Sequence, residues 1–517
     1  MTDTTLPYVA QRDAAPAPRD DLTRVQALAR QRLDEARPDA VARQRKRGRW
    51  TVREAIGGLA DPDSFIEYGG LAEPATEGMS GAADGLVMGT AKVNGRPTDM
   101  VLYDYTVYAG TQSAVNHQKM VRMIDHAQRT RLPLICWLDG GGARPQDMMK
   151  MAERGSAYTF VGLARLSGWV PTVAIVPGRA FAGHANIAGL CDLMIAVRGA
   201  AIGMAGPPLV EAALGAKLTP EEIGPAEMHA RSGVVDLLVD DEGQAITAAR
   251  KYLDFFGPPL AQAEAPDPTP LRELVPENPR RAYNVRKAIE HIVDVGSTLE
   301  LKPDYGKSVV TAFARLGGRT VGIMANQPIQ LAGAIDSPAS IKAARFVQIC
   351  DAFDLPLLVM CDTPGLMVGP EAEKTGLVRH SARLLSALAN ATVPIMTVVL
   401  RKAYGLGRYV MGSRPFDPVV LLAWPTVEYG GMGMEGAVNI IYKRQLEAET
   451  DPVRRATLQA ELASKLKEEN TAIKAAKRFN YDDIIDPVDT RAILLHTLDT
   501  VPQPPRPALR KRVIEAF

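Results

Sequence analysis

Two glycine-rich turns in this chain put backbone N–H groups where negative charge on a reacting oxygen could be held. One follows Val170-Pro171 and reads Arg179-Ala-Phe-Ala-Gly-His184; the other follows Val393-Pro394 and reads Lys402-Ala-Tyr-Gly-Leu-Gly407. In each, an apolar β-branched run meets glycine and continues at helical spacing, a pattern that leaves the first amides of a helix without partners. Two such amides converging on one oxygen make an oxyanion hole, and losing one donor costs about 3 kcal/mol of transition-state stabilisation. A second turn in each half, Asp139-Gly-Gly-Gly-Ala-Arg144 and Asp362-Thr-Pro-Gly-Leu366, offers a facing wall. Tight βα turns without a ligand would use the same residues, but four turns in register favour a site. His184 is the titratable group beside the first turn; it either packs next to Asn186 or moves a proton.

The turns repeat because the chain repeats. Val393 lies 223 positions after Val170, and the same displacement carries Gly95-Arg96 onto Gly318-Arg319, Lys119 onto Lys342 and Arg122 onto Arg345. It also carries Leu132-Pro-Leu134 onto Leu355-Pro-Leu357, Asp139 onto Asp362, Gly142 onto Gly365 and Ala180 onto Ala403. One ungapped register from about residue 91 to residue 189 indicates a duplicated domain and not a short-period array.

The elements that must position these turns follow from periodicity. Phe65 to Leu102 reads as short strands, with a hairpin turn at Asn94-Gly95. Thr111 to Arg131 is predicted as helix, Leu132 to Leu138 as buried strand, Pro145 to Ser167 as helix and Val173 to Val176 as buried strand. Strands apolar on both faces that alternate with helices predict a parallel α/β core in each half. Leu22 to Ala42 is predicted as a surface helix packed on one face, and Arg444 to Arg478 as a long charged helical stretch. The proline-rich stretch Gly257 to Arg281 reads as a linker, which places a boundary near residue 268 and the domains at 22–267 and 268–517.

Composition narrows the classes. The 517 residues carry 60 basic and 59 acidic side chains, so no global field recruits nucleic acid or an anionic membrane. Arg43 to Arg49 is the one dense basic run and reads as a solvated face or a site for a single anionic ligand. Cys136, Cys191, Cys350 and Cys361 include no CxxC pair, against a disulfide framework or a zinc ribbon. No signal, transit or spanning segment is legible, and the reading is a cytoplasmic protein with an unstructured stretch up to about residue 20.

Particular segments carry a family resemblance: DGGGARPQ, RAYNVR, GGRTVGIMANQP, ARFVQICDAFDLPLLVMCDTPG, GLVRHSARLLSALANATVP, VVLRKAYGLG, AWPTVEYGGMGMEGAVNII and DDIIDPVDTR. Over nearly the whole chain from about residue 22 it resembles the carboxyltransferase (β) subunits of biotin-dependent acyl-CoA carboxylases, such as propionyl-CoA carboxylase and the methylmalonyl-CoA transcarboxylase core. The resemblance implies an α/β fold of two tandem crotonase-like domains, each a ββα spiral, with acyl-CoA on the N-terminal side and biotin on the C-terminal side. It implies transfer of CO2 from carboxybiotin to the α-carbon of an acyl-CoA, no metal, and a homohexamer built as a trimer of dimers. Because no ATP-binding carboxylase module is recognisable here, biotin must arrive on a biotin carboxylase or carrier partner.

Residue by residue, the resemblance assigns Ala182 and Gly183 as amides of the acyl-side hole, and Leu406 and Gly407 as those of the biotin side. Gly142, Ala143, Gly365 and Leu366 complete the walls, His184 adjoins the acyl-side hole, and Tyr409 shapes the acyl pocket. Gly140 stands where the family has serine, Leu406 where it has glycine, and His184 where it has a small residue. No side-chain base is required if biotin accepts the α-proton. Two other readings stay open: a biotin-independent acyl-CoA decarboxylase or hydrolase using His184, and a catalytically silent scaffold. Met148-Met-Lys150-Met151 imitates a biotinylation sequence, but Lys150 falls in a predicted helix and is read as unmodified.

Overall fold

The computed structural model describes residues 19–147, 158–261, 263–279, 281–501 and 514–515. They form two compact units, one running through Gly257 and including Ile514 and Glu515, the other running from Pro258 to Val501. Lys150 and the Met148–Met151 sequence lie outside the described residues, as does the stretch before Arg19.

Each unit begins with a hairpin feeding a parallel sheet. In the first unit, Leu86–Val93 and Arg96–Tyr103 pair antiparallel through Asn94 and Gly95, whose φ values of 50° and 76° are the left-handed pair such a two-residue turn requires. Arg96–Tyr103 then starts a parallel series through Leu134–Trp137, Thr172–Val176, Leu193–Val197 and Leu237–Val239, while Ile66–Tyr68 closes the other edge. In the second unit Val309–Leu316 and Arg319–Asn326 form the hairpin, followed by Leu357–Thr363, Ile395–Tyr404, Val420–Ala423 and Asp483–Ile484. The two hairpins stand at the predicted displacement residue for residue. The parallel strands are buried on both faces, which is why they read as unbroken apolar runs.

The long helix after each hairpin is positioned by the same device. Ser113 caps helix Ala114–Thr130 through a reciprocal exchange with Asn116, and Asp336 caps helix Ser337–Ala352 by accepting from Ala339 N. Each helix buries one lysine that makes no ion pair among the described residues and is held by backbone carbonyls. Lys119 donates to the carbonyls of Ala83 and Leu86, and Lys342 to those of Lys302 and Tyr305, both at 2.9 Å. Burial pushes Lys119 down to about 8 and Lys342 to about 7.

Three sequence expectations change here. The proline-rich linker is largely part of the second unit: Leu260 N donates to Gly318 O, Val295 N donates to Glu264 O, and Leu271, Val275 and Tyr283 enter its core. Its prolines forbid long helix but leave apolar residues free to pack. The N-terminal helix is broken, Asp20–Gln31 being followed by Pro38–Lys46, and its apolar row Leu22, Val25 and Leu28 is exposed in place of the packed face the spacing predicted. Arg49, from the basic run, faces inward: its guanidinium meets Asp139 at 2.6 Å and Glu242 at 3.0 Å. Farther along, Ser167 Oγ donates to Ile514 O at 3.0 Å and accepts from Ile514 N at 3.1 Å, which fastens residue 514 to the first unit.

Candidate active site

The two turns of each unit are clamped together by one buried aspartate. In the first unit Asp139 accepts from Arg179 N at 3.1 Å, and in the second Asp362 accepts from Lys402 N at the same distance. Asp139 is held by Arg49 and Asp362 by Arg401 at 3.0 Å; burial raises both carboxyls above their ordinary range. The facing walls are stitched alike. Gln112 N donates to Gly142 O and Arg144 N to Gln112 O; in the second unit Ile335 N donates to Gly365 O and Met367 N to Ile335 O. Arg144 is buried between Asp84 and Asp147, fixing the far end of the first wall. Gly142 and Gly365 sit at φ 94° and 132°, where a side chain is strongly disfavoured, so glycine here is a requirement of the wall.

These stitches leave particular amides free. In the first unit Gly183 heads helix Gly183–Leu190, and no partner exists for its N–H among the described residues. Ala182, paired with it by the resemblance, is different: its amide donates to Gly203 O at 2.9 Å and is not available to a ligand. That bond belongs to the small parallel pairing of Arg179–Phe181 with Ala201–Gly203, which no periodicity announced. Ala182 instead contributes shape: at φ 52°, ψ −118° it turns the strand into the helix, and its Cβ lies 3.2 Å from where a Cβ on Gly142 would stand. Ala143 on the facing wall is exposed, and its amide has no partner among the described residues.

In the second unit the amides of Leu366, Leu406 and Gly407 have no partner among the described residues. Gly407 packs directly on the wall: a Cβ added to it would lie 2.6 Å from Gly365 Cα. Leu406, 60% exposed, projects its side chain outward, so the glycine-to-leucine departure leaves the amide intact. Behind this turn Cys361, Arg408, Tyr409, Tyr429 and Tyr481 line a cavity of about 190 Å³. The Arg408 guanidinium lies 4.8 Å from the Tyr409 ring centre and 4.2 Å from that of Tyr429, and donates to the Tyr409 hydroxyl at 2.9 Å.

His184 does not face the site. It is fully buried, edge to face with Tyr103 at 4.4 Å, and burial pushes it down to about 3, so it is neutral near pH 7. Its ring fills the space beside Gly140, where an added Cβ would come within 2.7 Å of Cε1 and 2.8 Å of Nε2. The two departures in this half, glycine for serine at 140 and histidine at 184, are therefore one exchange of volume.

Two ββα halves, each ending in a clamped pair of turns with free amides, define a crotonase-like acyl-CoA enzyme. The chain belongs to the carboxyl transferase domain family, which matches residues 43–514, and within it to the carboxyltransferase subunits of acyl-CoA carboxylases. It is 38% identical over 478 residues to the methylmalonyl-CoA carboxyltransferase 12S subunit of Propionibacterium freudenreichii, covering 89% of this chain and 90% of that one. It is 36% identical to the mitochondrial propionyl-CoA carboxylase beta chain of Sus scrofa, covering 89% and 86%. Among solved structures, the hexameric transcarboxylase 12S bound to methylmalonyl-coenzyme A superposes with a TM-score of 0.85 at 34% identity, over 97% of this chain and all of that one. A single-chain, multi-domain long-chain acyl-CoA carboxylase superposes with a TM-score of 0.88 at 44% identity over 93% of this chain, which spans about half, 49%, of that longer protein. Among the described residues no helix is long and apolar enough to cross a membrane.

Proposed function

We propose that the first unit holds the thioester carbonyl of an acyl-CoA at the amides of Gly183 and Ala143, and that the second holds the ureido oxygen of biotin at Leu366, Leu406 and Gly407. Biotin, when bound, supplies the carboxyl group and the base for the α-proton. The donor set suits it: neutral backbone amides, with Lys402 and Arg401 next to them in the chain and the Asp362 carboxylate taken up by Arg401 and the Lys402 amide, match an oxygen that becomes negative. The observation that carries the reading is the pairing of the holes. Removing an α-proton from a thioester puts charge on one oxygen, releasing CO2 puts charge on another, and two clamped turns answer them. In this reading Gly142 and Gly365 bring each wall close to its hole, Tyr409 sets which acyl chains fit, and a separate biotin-bearing carrier and biotin carboxylase are the working partners. A hexamer built as a trimer of dimers is the assembly proposed.

His184 gives no support to a biotin-independent enzyme, since a buried neutral imidazole presents no proton at the site. The deciding experiment follows the carboxyl label from a carboxylated acyl-CoA to free biotin. Transfer that requires biotin, and that His184→Ala retains, is expected. Turnover of the acyl-CoA that ignores biotin and resists avidin would overturn the reading, and acyl-CoA binding without any turnover would identify a scaffold.

A further inference from the structure

Beneath the first-unit hole lies a polar cluster that the second unit lacks. Tyr103, Gln112 and His184 are each at most 2% exposed; the Tyr103 hydroxyl is set against the Gln112 side-chain amide and the His184 ring against the backbone of Phe181 and Gly110, while Gln112 Nε2 makes no well-formed hydrogen bond among the described residues. Their counterparts at the 223-residue displacement are Asn326, Ile335 and Gly407. Asn326 is satisfied on both sides, accepting from Asp362 N at 3.1 Å and donating to Gly333 O at 3.3 Å; Ile335 and Gly407 have no side-chain polar atom. The fold therefore works with this layer apolar or satisfied. In the first unit it keeps a buried side-chain donor, Gln112 Nε2, without a well-formed hydrogen bond among the described residues, and such a group costs about 1–3 kcal/mol when left buried and unmet.

Gln112 is the member that reaches the site. Its backbone is fixed on both sides by the wall, through Gly142 O and Arg144 N. Its side chain crosses to the opposite turn and lies against Gly183: a Cβ added there would stand 2.9 Å from both Cδ and Nε2, and nearer still to Oε1. The Gln112 side-chain amide thus lies between the wall and the turn that heads helix Gly183–Leu190, with its oxygen nearer to Gly183 than its nitrogen. The Tyr103 hydroxyl lies beside the Gln112 amide, and His184 braces the Tyr103 ring from below.

We propose that Gln112 supplies a side-chain hydrogen bond to the acyl-side oxyanion, alongside the Gly183 amide, and that Tyr103 and His184 are positioning residues for it. The inference rests on the acyl-side reading of the first unit. It gives His184 a role without proton transfer and explains why glycine is needed at position 183: a side chain there would displace the Gln112 donor. The expected consequence is an acyl-side hole stronger than backbone amides alone provide.

The test compares wild type, Gln112→Leu and Gln112→Asn in carboxyl transfer with free biotin, and in the carbonyl stretch of a bound ¹³C=O-labelled acyl-CoA. The probe is the tightest binder in a series from acetyl- to palmitoyl-CoA. Wild type is expected to lower the stretch relative to the thioester in water. Gln112→Leu should lose part of that displacement and about 10²-fold in kcat, with KM changed less than about threefold and an unchanged or higher Tm. Gln112→Asn, a shorter donor, should fall between them. A leucine variant with wild-type kcat and stretch overturns the proposal while leaving the acyl-side reading standing. Gly183→Ala keeps its backbone amide but crowds Gln112, so a variant that alters neither stretch nor kcat also overturns the Gln112 proposal; if wild type displaces no stretch, the acyl-side reading itself fails and the role of Gln112 falls with it.

Discussion

The two units solve the same problem with opposite choices at two positions. The first has no side chain at Gly140 and an imidazole at His184. The second has a hydroxyl at Thr363, bonded to Gly365 N and O at 3.1 Å each, and no side chain at Gly407. Where the wall carries the side chain, the turn has none and packs backbone on backbone. Where the turn carries it, the wall retreats to glycine. What the duplication preserves is the set of backbone bonds around the aspartate clamp, and side chains are exchanged around that frame.

The largest effect should come from Gly407→Ala. Its new methyl meets Gly365 backbone at 2.6 Å, which cannot swing aside, so transfer should fall by more than about 10³-fold in a folded protein. Gly183→Ala meets the tip of a side chain, and its loss in the same label-transfer assay should be smaller. Equal losses would mean that the two turns are closed alike.

Next are the clamps. Replacing one partner of a buried ion pair strands the other, at about 3–5 kcal/mol. Arg401→Met should therefore cost roughly that in urea unfolding. Arg49→Met should cost less because the Arg49 side chain is 20% exposed, against 4% for Arg401, and water can reach the stranded Asp139.

The His184–Gly140 exchange predicts a pH effect confined to the first unit. The folded imidazole titrates near 3, below its unfolded value near 6.5, so its stability contribution is whole above about pH 6.5 and is lost as pH falls toward 3. Between pH 6.5 and 5 this amounts to about 2 kcal/mol. His184→Phe should flatten that part of the acid limb in a Tm-against-pH series, and an unchanged limb would show that His184 is already protonated when folded.

The smallest expected change in total rate is from Tyr409→Ala, which should alter relative kcat/KM among short and long acyl-CoAs by about tenfold. A uniform change across chain lengths would remove Tyr409 from the acyl pocket.

The frame was legible because it depends on residues that repeat. Asp139 and Asp362, the two Leu-Pro-Leu strands, Lys119 and Lys342 and the glycines of both walls kept one register; each aspartate accepts from the backbone of the opposite turn, and each lysine is buried against backbone carbonyls. What stayed hidden depends on partners far apart in sequence. The Ala182 amide looks free until Gly203 comes beside it, and Arg49 looks like part of a solvated basic run until Asp139 and Glu242 close on it. Gln112 carried a faint signal, a polar residue where the register places Ile335. A mismatch of that kind inside a duplicated core marks where one copy has been adapted.

The Ser167–Ile514 pair bears on how the protein is made. A chain emerging from the ribosome exposes the first unit long before residue 514 exists, so a nascent first half matures without its last anchor while the second is still being synthesised. Cutting the gene at the internal duplication would not yield two equal products: the front half would lack a piece encoded at the far end.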